Sequence, residues 1–389
     1  MFDVGADAGE RCWMNIFIAN WRCPRSPRSG GAEYATLRIV EGLIGMGHRV
    51  TWFSSWSAGL QTDEVLNGVR YLRRGNEVTC RFYCAVWIRK NYKLFDICIE
   101  EINTIPFYLH WFTSLPSVTY IHQLAGAVWL FEAPPIVGRV GMLLERWLLW
   151  PLRFRPFVAG SRSTMNEIRA FGHRGPGTVI GYGVDAPVSC FDRVSYRPRD
   201  RCRLVMVSRV TPSKRIGHGI DAVAWLVRAG VDAELDIVGA GSAWEVGRLK
   251  ALAAERGCSN RVRIHGWLGA EAKSEIISRS FAIVSTSVKE GWQLTISEAH
   301  VLGIPSVVYP VAGLVDSTIH GKTGLVVSTE NARVLADGVK YLWENPPEYR
   351  LLSTNARQVT NKMKWKFIIK KWEKYLKTVC VKVSDLCIK

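Results

Sequence analysis

Two α/β units, each built on a parallel sheet and facing each other, are the fold class this sequence predicts. Three observations carry it. Short apolar runs alternate with helix-patterned segments along nearly the whole chain, and that alternation builds parallel sheets covered on both faces. A polar, Pro- and Arg-rich stretch, Ala186–Arg203, divides the alternation into two series of similar length. At 389 residues the chain exceeds one ordinary core and fits two domains of roughly 150–200 residues.

The first series opens with the strand Met14–Ala19, the loop Asn20–Gly31, and a helix with Leu37, Val40, Leu43 and Ile44 on one face. Gly47 ends that helix. Strands follow at Val50–Ser54, Phe95–Ile99, Val118–Ile121, Phe157–Ala159 and Thr178–Ile180. The second series places strands at Leu204–Ser208, Leu235–Val238, Val262–His265, Phe281–Thr286 and Ser306–Tyr309. Residues 1–13 have no place in the pattern and are expected to be a disordered or non-native leader, with Met14 as the candidate start. The expected layout is therefore 14–188, a linker at 189–203, 204–345, and C-terminal helices over 346–389.

Composition is globular, 48% hydrophobic and 22% charged, and no apolar run reaches the ~18–20 residues of a membrane span. The first residues carry Asp3, Asp7 and Glu10, unlike a signal peptide. Ten cysteines without metal-ligand spacing predict free thiols and a cytoplasmic setting. A net charge of +17 calls for an anionic partner. No nucleic-acid module is recognisable, so nucleotide, phosphate or acidic membrane is expected instead. The charge gathers at the end, where 360–389 hold nine lysines against Glu373 and Asp385. There Trp365, Ile368, Trp372, Tyr375, Leu376 and Val379 form one helical stripe. It is read as a helix docked on a domain, with a basic face resting on anionic lipid as the sharper alternative.

Glu290 and Glu298 straddle the start of a helix that follows the strand Phe281–Thr286. The first sits on a loop and the second about one turn in, so both can face the crevice where open α/β sheets bind ligands. The backbone N–H groups of Gln293, Leu294 and Thr295 favour an anion there. Carboxylates beside an anion cradle suit a ligand with hydroxyls and phosphates, as in a nucleotide sugar. Taken singly, each glutamate is more readily a turn cap or a first-turn acid. Ser208-Arg209 and Lys214, at the end of another strand, are cations suited to a diphosphate. Gly30 and Gly31 join the first strand to its helix and allow close backbone approach. His122 follows the strand Val118–Ile121 at the same edge.

These motifs resemble the family 4 glycosyltransferases of the GT-B fold. The matching stretches are SGGAE, GHRVTWFSS, YIHQL, GSRSTMNEI, GVD, VSRVTPSKRIGHGIDAVAWL, LDIVGAGS, RIHGWLG, KEGWQLTISEAHVLGIPSVV and GLVDSTIHGKTGLVV, in the family's order from about Met14 to Val327. The resemblance implies a retaining transfer of a hexose-type sugar from a nucleoside-diphosphate sugar to a saccharide or lipid-linked acceptor. It implies neither metal nor cofactor, and a peripheral association with the inner membrane face fits it. It further implies that Arg209 and Lys214 hold the diphosphate and that Glu298 meets the ribose. Glu290 and His122 would meet the sugar, and Gly266, Trp267 and Leu268 the base. Amides of Gln293, Leu294 and Thr295 would meet sugar and phosphates, while Gly30 and Gly31 close over the diphosphate.

Departures are Gln293 for a small residue, Tyr182 for asparagine and Trp292 for phenylalanine. Acceptor contacts are expected from Ser54–Arg74 and Leu124–Arg139. The alternatives are an epimerase or glycoside phosphorylase on the same architecture, or an idle nucleotide-binding, membrane-docking protein. A dehydrogenase fails because Trp244 fills the position where the dinucleotide fingerprint needs a small residue.

Overall fold

The computed structural model describes residues 13–185 and 201–387. Residues 1–12 of the leader and most of the expected linker lie outside the described residues. Among the described residues, fourteen strands form two sheets. The first contains β1 (Asn15–Ala19), β2 (Arg49–Ser54), β3 (Asp63–Leu66), β4 (Val69–Arg73), β5 (Ile97–Ile102), β6 (Ser117–Ile121), β7 (Phe157–Ala159) and β8 (Gly177–Val179). The second contains β9 (Cys202–Val207), β10 (Ala233–Val238), β11 (Val262–Gly266), β12 (Ala282–Ser285), β13 (Ser306–Val308) and β14 (Gly324–Val326).

In the first unit the helices are α1 (Gly31–Gly45), α2 (Cys80–Asn91), α3 (Trp129–Glu132), α4 (Pro135–Leu149) and α5 (Arg162–Ala170). The second carries α6 (Ile216–Arg228), α7 (Ala243–Glu255), α8 (Ala270–Arg279), α9 (Leu294–Val301) and α10 (Leu314–Ser317). The chain ends with α11 (Ala332–Glu344), α12 (Pro346–Thr360) and α13 (Trp365–Cys387).

The sheet orders are β3-β4-β2-β1-β5-β6-β7-β8 and β11-β10-β9-β12-β13-β14. Every pairing is parallel except β3 with β4, which is antiparallel. Strand order reverses between β1 and β5 in one sheet and between β9 and β12 in the other, and ligands of such sheets bind outside those points. Valine and isoleucine fill both: Ile18 registers with Ile99, and Val205 with Ile283.

Three expectations need correction. The region Ser54–Arg74, read as loop, holds the β3–β4 hairpin. Its turn is Asn67-Gly68, with φ of 51° and 79°, the left-handed pair that a two-residue hairpin favours. The strand expected to stop at Ile99 runs on through Glu100 and Glu101, both buried. They survive there because partners receive them: Glu100 accepts the Tyr108 and Leu109 amides at 2.7 and 3.2 Å, and Glu101 accepts Asn20 Nδ2 at 2.6 Å. The short strand Gly324–Val326 was also unforeseen.

The C-terminal helix docks. Trp365, Ile368, Trp372, Leu376 and Val379 are buried against the first unit, in one cluster with Val40, Leu43 and Tyr120. A Cβ on Gly42 of α1 would lie 2.2 Å from Ile369, so glycine sets how closely α1 and α13 cross. The apolar stripe is therefore packed against the protein, as the docked-helix reading expects, and the lysines between face water. The chain returns to the first unit beside the point where it leaves. Val184 N donates to Met363 O at 2.8 Å, Val184 bridges Lys364, and a Cβ on Gly183 would stand 2.4 Å from Trp365.

Candidate active site

The two sheets present their carboxyl ends to one cleft of about 560 Å³. Loops after β9 and β12 form one wall and are laced together. Val288 N donates to Ser213 O at 2.8 Å, and Thr286 Oγ1 donates to the Lys214 and Arg215 carbonyls at 3.0 Å. Arg215 fastens the pair through Thr286 O (2.7 Å) and Ser287 O (3.0 Å). It does so at φ 47°, a backbone strain the lacing must hold. This frame aims Arg209, Lys214 and Glu290 into the cleft.

Glu290 is nearly buried, and its Oε1 accepts from Lys214 Nζ at 2.6 Å and Ser287 Oγ at 2.7 Å. The two groups expected to hold phosphate and sugar thus hold each other. Arg209 is exposed in the cleft. The next element, α9, starts at Leu294 with its N-terminus in the same wall. Thr295 Oγ1 donates to Val207 O at 3.0 Å, and Gln293 Nε2 donates to Thr295 Oγ1 at 3.1 Å. Gln293 Oε1 is buried with no partner among the described residues.

The first unit supplies the other wall. His122 is buried, its Nδ1 2.9 Å from Tyr182 OH and its Nε2 3.4 Å from Glu101 Oε2. Burial pushes the Glu101 carboxyl up, and the hydrogen bond with His122 opposes it. Tyr182 reaches the histidine because position 160 is glycine: a Cβ there would lie 2.0 Å from the phenol oxygen. At the head of α1, Glu33 Oε2 accepts the Gly30 amide at 2.8 Å, so part of that anion cradle is already occupied. A Cβ on Gly31 would be 3.5 Å from Leu294 across the cleft.

Nine expected residues therefore line this cleft: Gly30, Gly31, His122, Arg209, Lys214, Glu290, Gln293, Leu294 and Thr295. Four are not among its lining. Glu298 pairs with Lys273 Nζ at 2.6 Å, and its charge helps burial and Asp185 to raise the Tyr34 phenol on α1. Gly266 closes β11 and Trp267 and Leu268 follow it; Gly266 O accepts the Gly239 amide at 2.8 Å and Trp267 is exposed.

The sequence reading missed Trp129 and Glu132, although its acceptor range 124–139 includes them. It missed Asn103, Arg28 and Lys289 altogether. Glu132 Oε1 accepts from Ser213 Oγ across the cleft at 2.5 Å. Burial pushes its carboxyl up, but hydrogen bonds from Ser213 and Thr211 and the Arg209 charge hold it below the usual range. Lys289 spans the units to Glu167 at 2.8 Å, and Asp316 accepts the Ser163 amide at 3.1 Å. No local pattern marks such residues, because each partner is far away in sequence.

Two family models tile the chain: "Glycosyltransferase Family 4" over residues 29–187 and "Glycosyl transferases group 1" over 191–359. The chain belongs to the glycosyltransferases that combine these two halves in a GT-B fold. An α-D-kanosaminyltransferase of Streptomyces kanamyceticus is 30% identical over 164 residues, 42% of each chain. The match thus spans under half of that enzyme. A glycogen synthase of Mycobacterium tuberculosis is 24% identical over 91% of this chain and 92% of its own. Among solved structures, sucrose-phosphate synthase of Thermosynechococcus elongatus superposes with a TM-score of 0.78 at 18% identity, covering 95% of this chain and 99% of that one. HepE of Anabaena, in complex with UDP-glucose, superposes at 0.73 with 18% identity over 94% and 100%.

Proposed function

We propose that the protein transfers a hexose-type sugar, with retention of configuration, from a nucleoside diphosphate to a hydroxyl of a saccharide or lipid-linked acceptor. The observation that supports this most is the meeting of Arg209, Lys214, Glu290 and the α9 N-terminus with His122 of the opposite unit in one cleft. Departure of the nucleotide builds negative charge on the diphosphate. Preorganised cations and backbone amides stabilise that charge most where water is excluded, which is the work a metal does in other transferases. Arg209, exposed in the cleft, would take the diphosphate, and Lys214 would reach it by sharing its ammonium with Glu290. Ribose hydroxyls would compete with Lys273 for Glu298, and the base would stack near Gly266–Leu268 beside the exposed Trp267.

The unfilled Gln293 acceptor suits a donor sugar with an O–H or N–H at that position. Solved neighbours bound to UDP-glucose or UDP-2-fluoro-glucose make uridine donors the first to try.

A thermal-shift screen across nucleotides and nucleotide sugars should show selective stabilisation by one donor. Arg209→Ala with Lys214→Ala should abolish that shift and cut turnover by about 10²–10³-fold. Undiminished turnover in the double variant would defeat the assignment. Turnover unaffected by a chelator is expected as well, since the cations here do the neutralising.

A further inference from the structure

Helix α4 is folded inside out. At about 100° per residue, Gly138, Gly141, Glu145 and Leu149 fall along one side, and Ile136, Val140, Leu143 and Trp147 along the other. The protein packs the first side. A Cβ on Gly138 would lie 2.5 Å from Trp129 O, and one on Gly141 2.7 Å from the Trp129 ring. Glu145 is buried, its carboxylate accepting the Ala125 and Gly126 amides at 2.6 and 2.8 Å. The apolar side faces out: Ile136 is 77%, Leu143 68% and Trp147 70% exposed. The strip continues past the helix through exposed Trp150 and Phe154. A contiguous apolar face of this kind needs a covering surface.

Charge identifies the cover. Between Glu132 and Glu167 the only acid is the buried Glu145, while the segment carries Arg139, Arg146, Arg153, Arg155 and Arg162. Arg139 and Arg146 run along one edge of the apolar strip on the helical wheel. Arg153 lies over the Trp150 ring at 4.1 Å and the Phe154 ring at 4.7 Å. An apolar stripe with tryptophans and an arginine edge matches the interface of an anionic bilayer, where acyl chains, carbonyls and phosphates follow in order of depth.

We propose that residues 135–154 dock the protein on an anionic lipid surface, with α4 lying in the plane of the headgroups. Trp129, which wedges beneath Gly138 and Gly141, also lines the cleft with Glu132. Docking therefore sets the first unit's wall beside the headgroups. Resting on the transfer reading above, this makes the acceptor a lipid-linked hydroxyl presented at the bilayer surface.

The test is co-sedimentation of the full chain with vesicles of phosphatidylcholine alone or mixed with phosphatidylglycerol. Binding to the mixed vesicles is expected. It should fall about tenfold in Leu143→Ser with Trp147→Ser, and by a similar factor in Arg139→Gln with Arg146→Gln. Replacing Lys366, Lys370 and Lys374 of α13 with glutamine should leave most binding in place. The docking proposal fails if the wild type ignores phosphatidylglycerol. It fails equally if both α4 variants bind as the wild type does while the α13 variant does not. Light scattering that shows a dimer dissolved by the Leu143/Trp147 change, with no lipid binding, would assign the face to a second copy and overturn the proposal too. Stabilisation by nucleotide, measured in the same preparations, reports folding and the donor site separately, so its loss in the wild type strikes the transfer reading and not the docking.

Discussion

Gly291 sits where backbone of one unit touches backbone of the other. A Cβ at this position would land 2.1 Å from the carbonyl oxygen of His122 and 2.9 Å from Gln123 Cβ. Its neighbour Glu290 is backed by Gly313, at φ 77°, where a Cβ would lie 2.2 Å from the Glu290 carbonyl. Glycine is needed at both places so that backbone can rest on backbone. Gly291→Ala should push the walls apart by a fraction of an ångström and lower kcat/KM about 100-fold. Its melting temperature should fall only slightly, since the contact lies outside either core. Steady-state rates beside a melting curve test this, and an alanine variant with unchanged kinetics would refute the tight-closure account. At this scale the site was legible wherever one short stretch holds both the turn and the charge, as in Glu290–Thr295 and Ser208–Lys214. It was illegible for Glu132, whose meaning comes from Ser213, and for the Lys214–Glu290 pair, whose ammonium and carboxylate each looked free.

Among elements, most strands of both sheets were readable because buried parallel strands are nearly uninterrupted apolar runs. Leu204–Val207 and Phe157–Ala159 are examples. The β3–β4 hairpin escaped notice because β3 opens on two acids, Asp63-Glu64, and is mostly exposed, although Asn67-Gly68 was the turn signal to use. The outward apolar side of α4 was not legible at all, because hydrophobicity measured along the chain says nothing of which side the protein takes. α13 is the strongest single prediction here. Trp372 is almost wholly buried, edge-on to Tyr120 at 4.7 Å between ring centres. Trp372→Ala should cost about 3–5 kcal/mol, visible as a large drop in the urea midpoint of the first unit. A drop of under about 1 kcal/mol would mean that α13 is held mainly by its other contacts.

For the molecule as a whole, acid stability follows from buried histidines. His300, fully buried and 3.0 Å from Ser306 Oγ, is pushed by burial down to about 3, and burial takes His173 to about 4. A histidine depressed in the folded state binds its proton only on unfolding. Its stabilisation is therefore intact above the ordinary value near 6.5 and lost as pH falls towards the folded value. Glu100, Glu101 and Glu145, raised by burial, pull the opposite way. The clean readout is thus a difference. Between pH 6.5 and 4, His300→Gln should flatten the decline of stability by up to about 1.4 kcal/mol per pH unit. Parallel curves for wild type and variant would show that His300 already titrates in the native state.

The hydrogen bond from Val184 to Met363 has a mechanical corollary. The outgoing and returning segments of the polypeptide lie side by side there, like the spine of a book, with Gly183 fitted against Trp365. The spine runs close beside the cleft, because the Trp292 ring, one residue from Gly291, sits 6.1 Å from the Tyr182 ring, one residue from Gly183. A bulky residue at position 183 would therefore jam the binding and disturb the site in the same stroke.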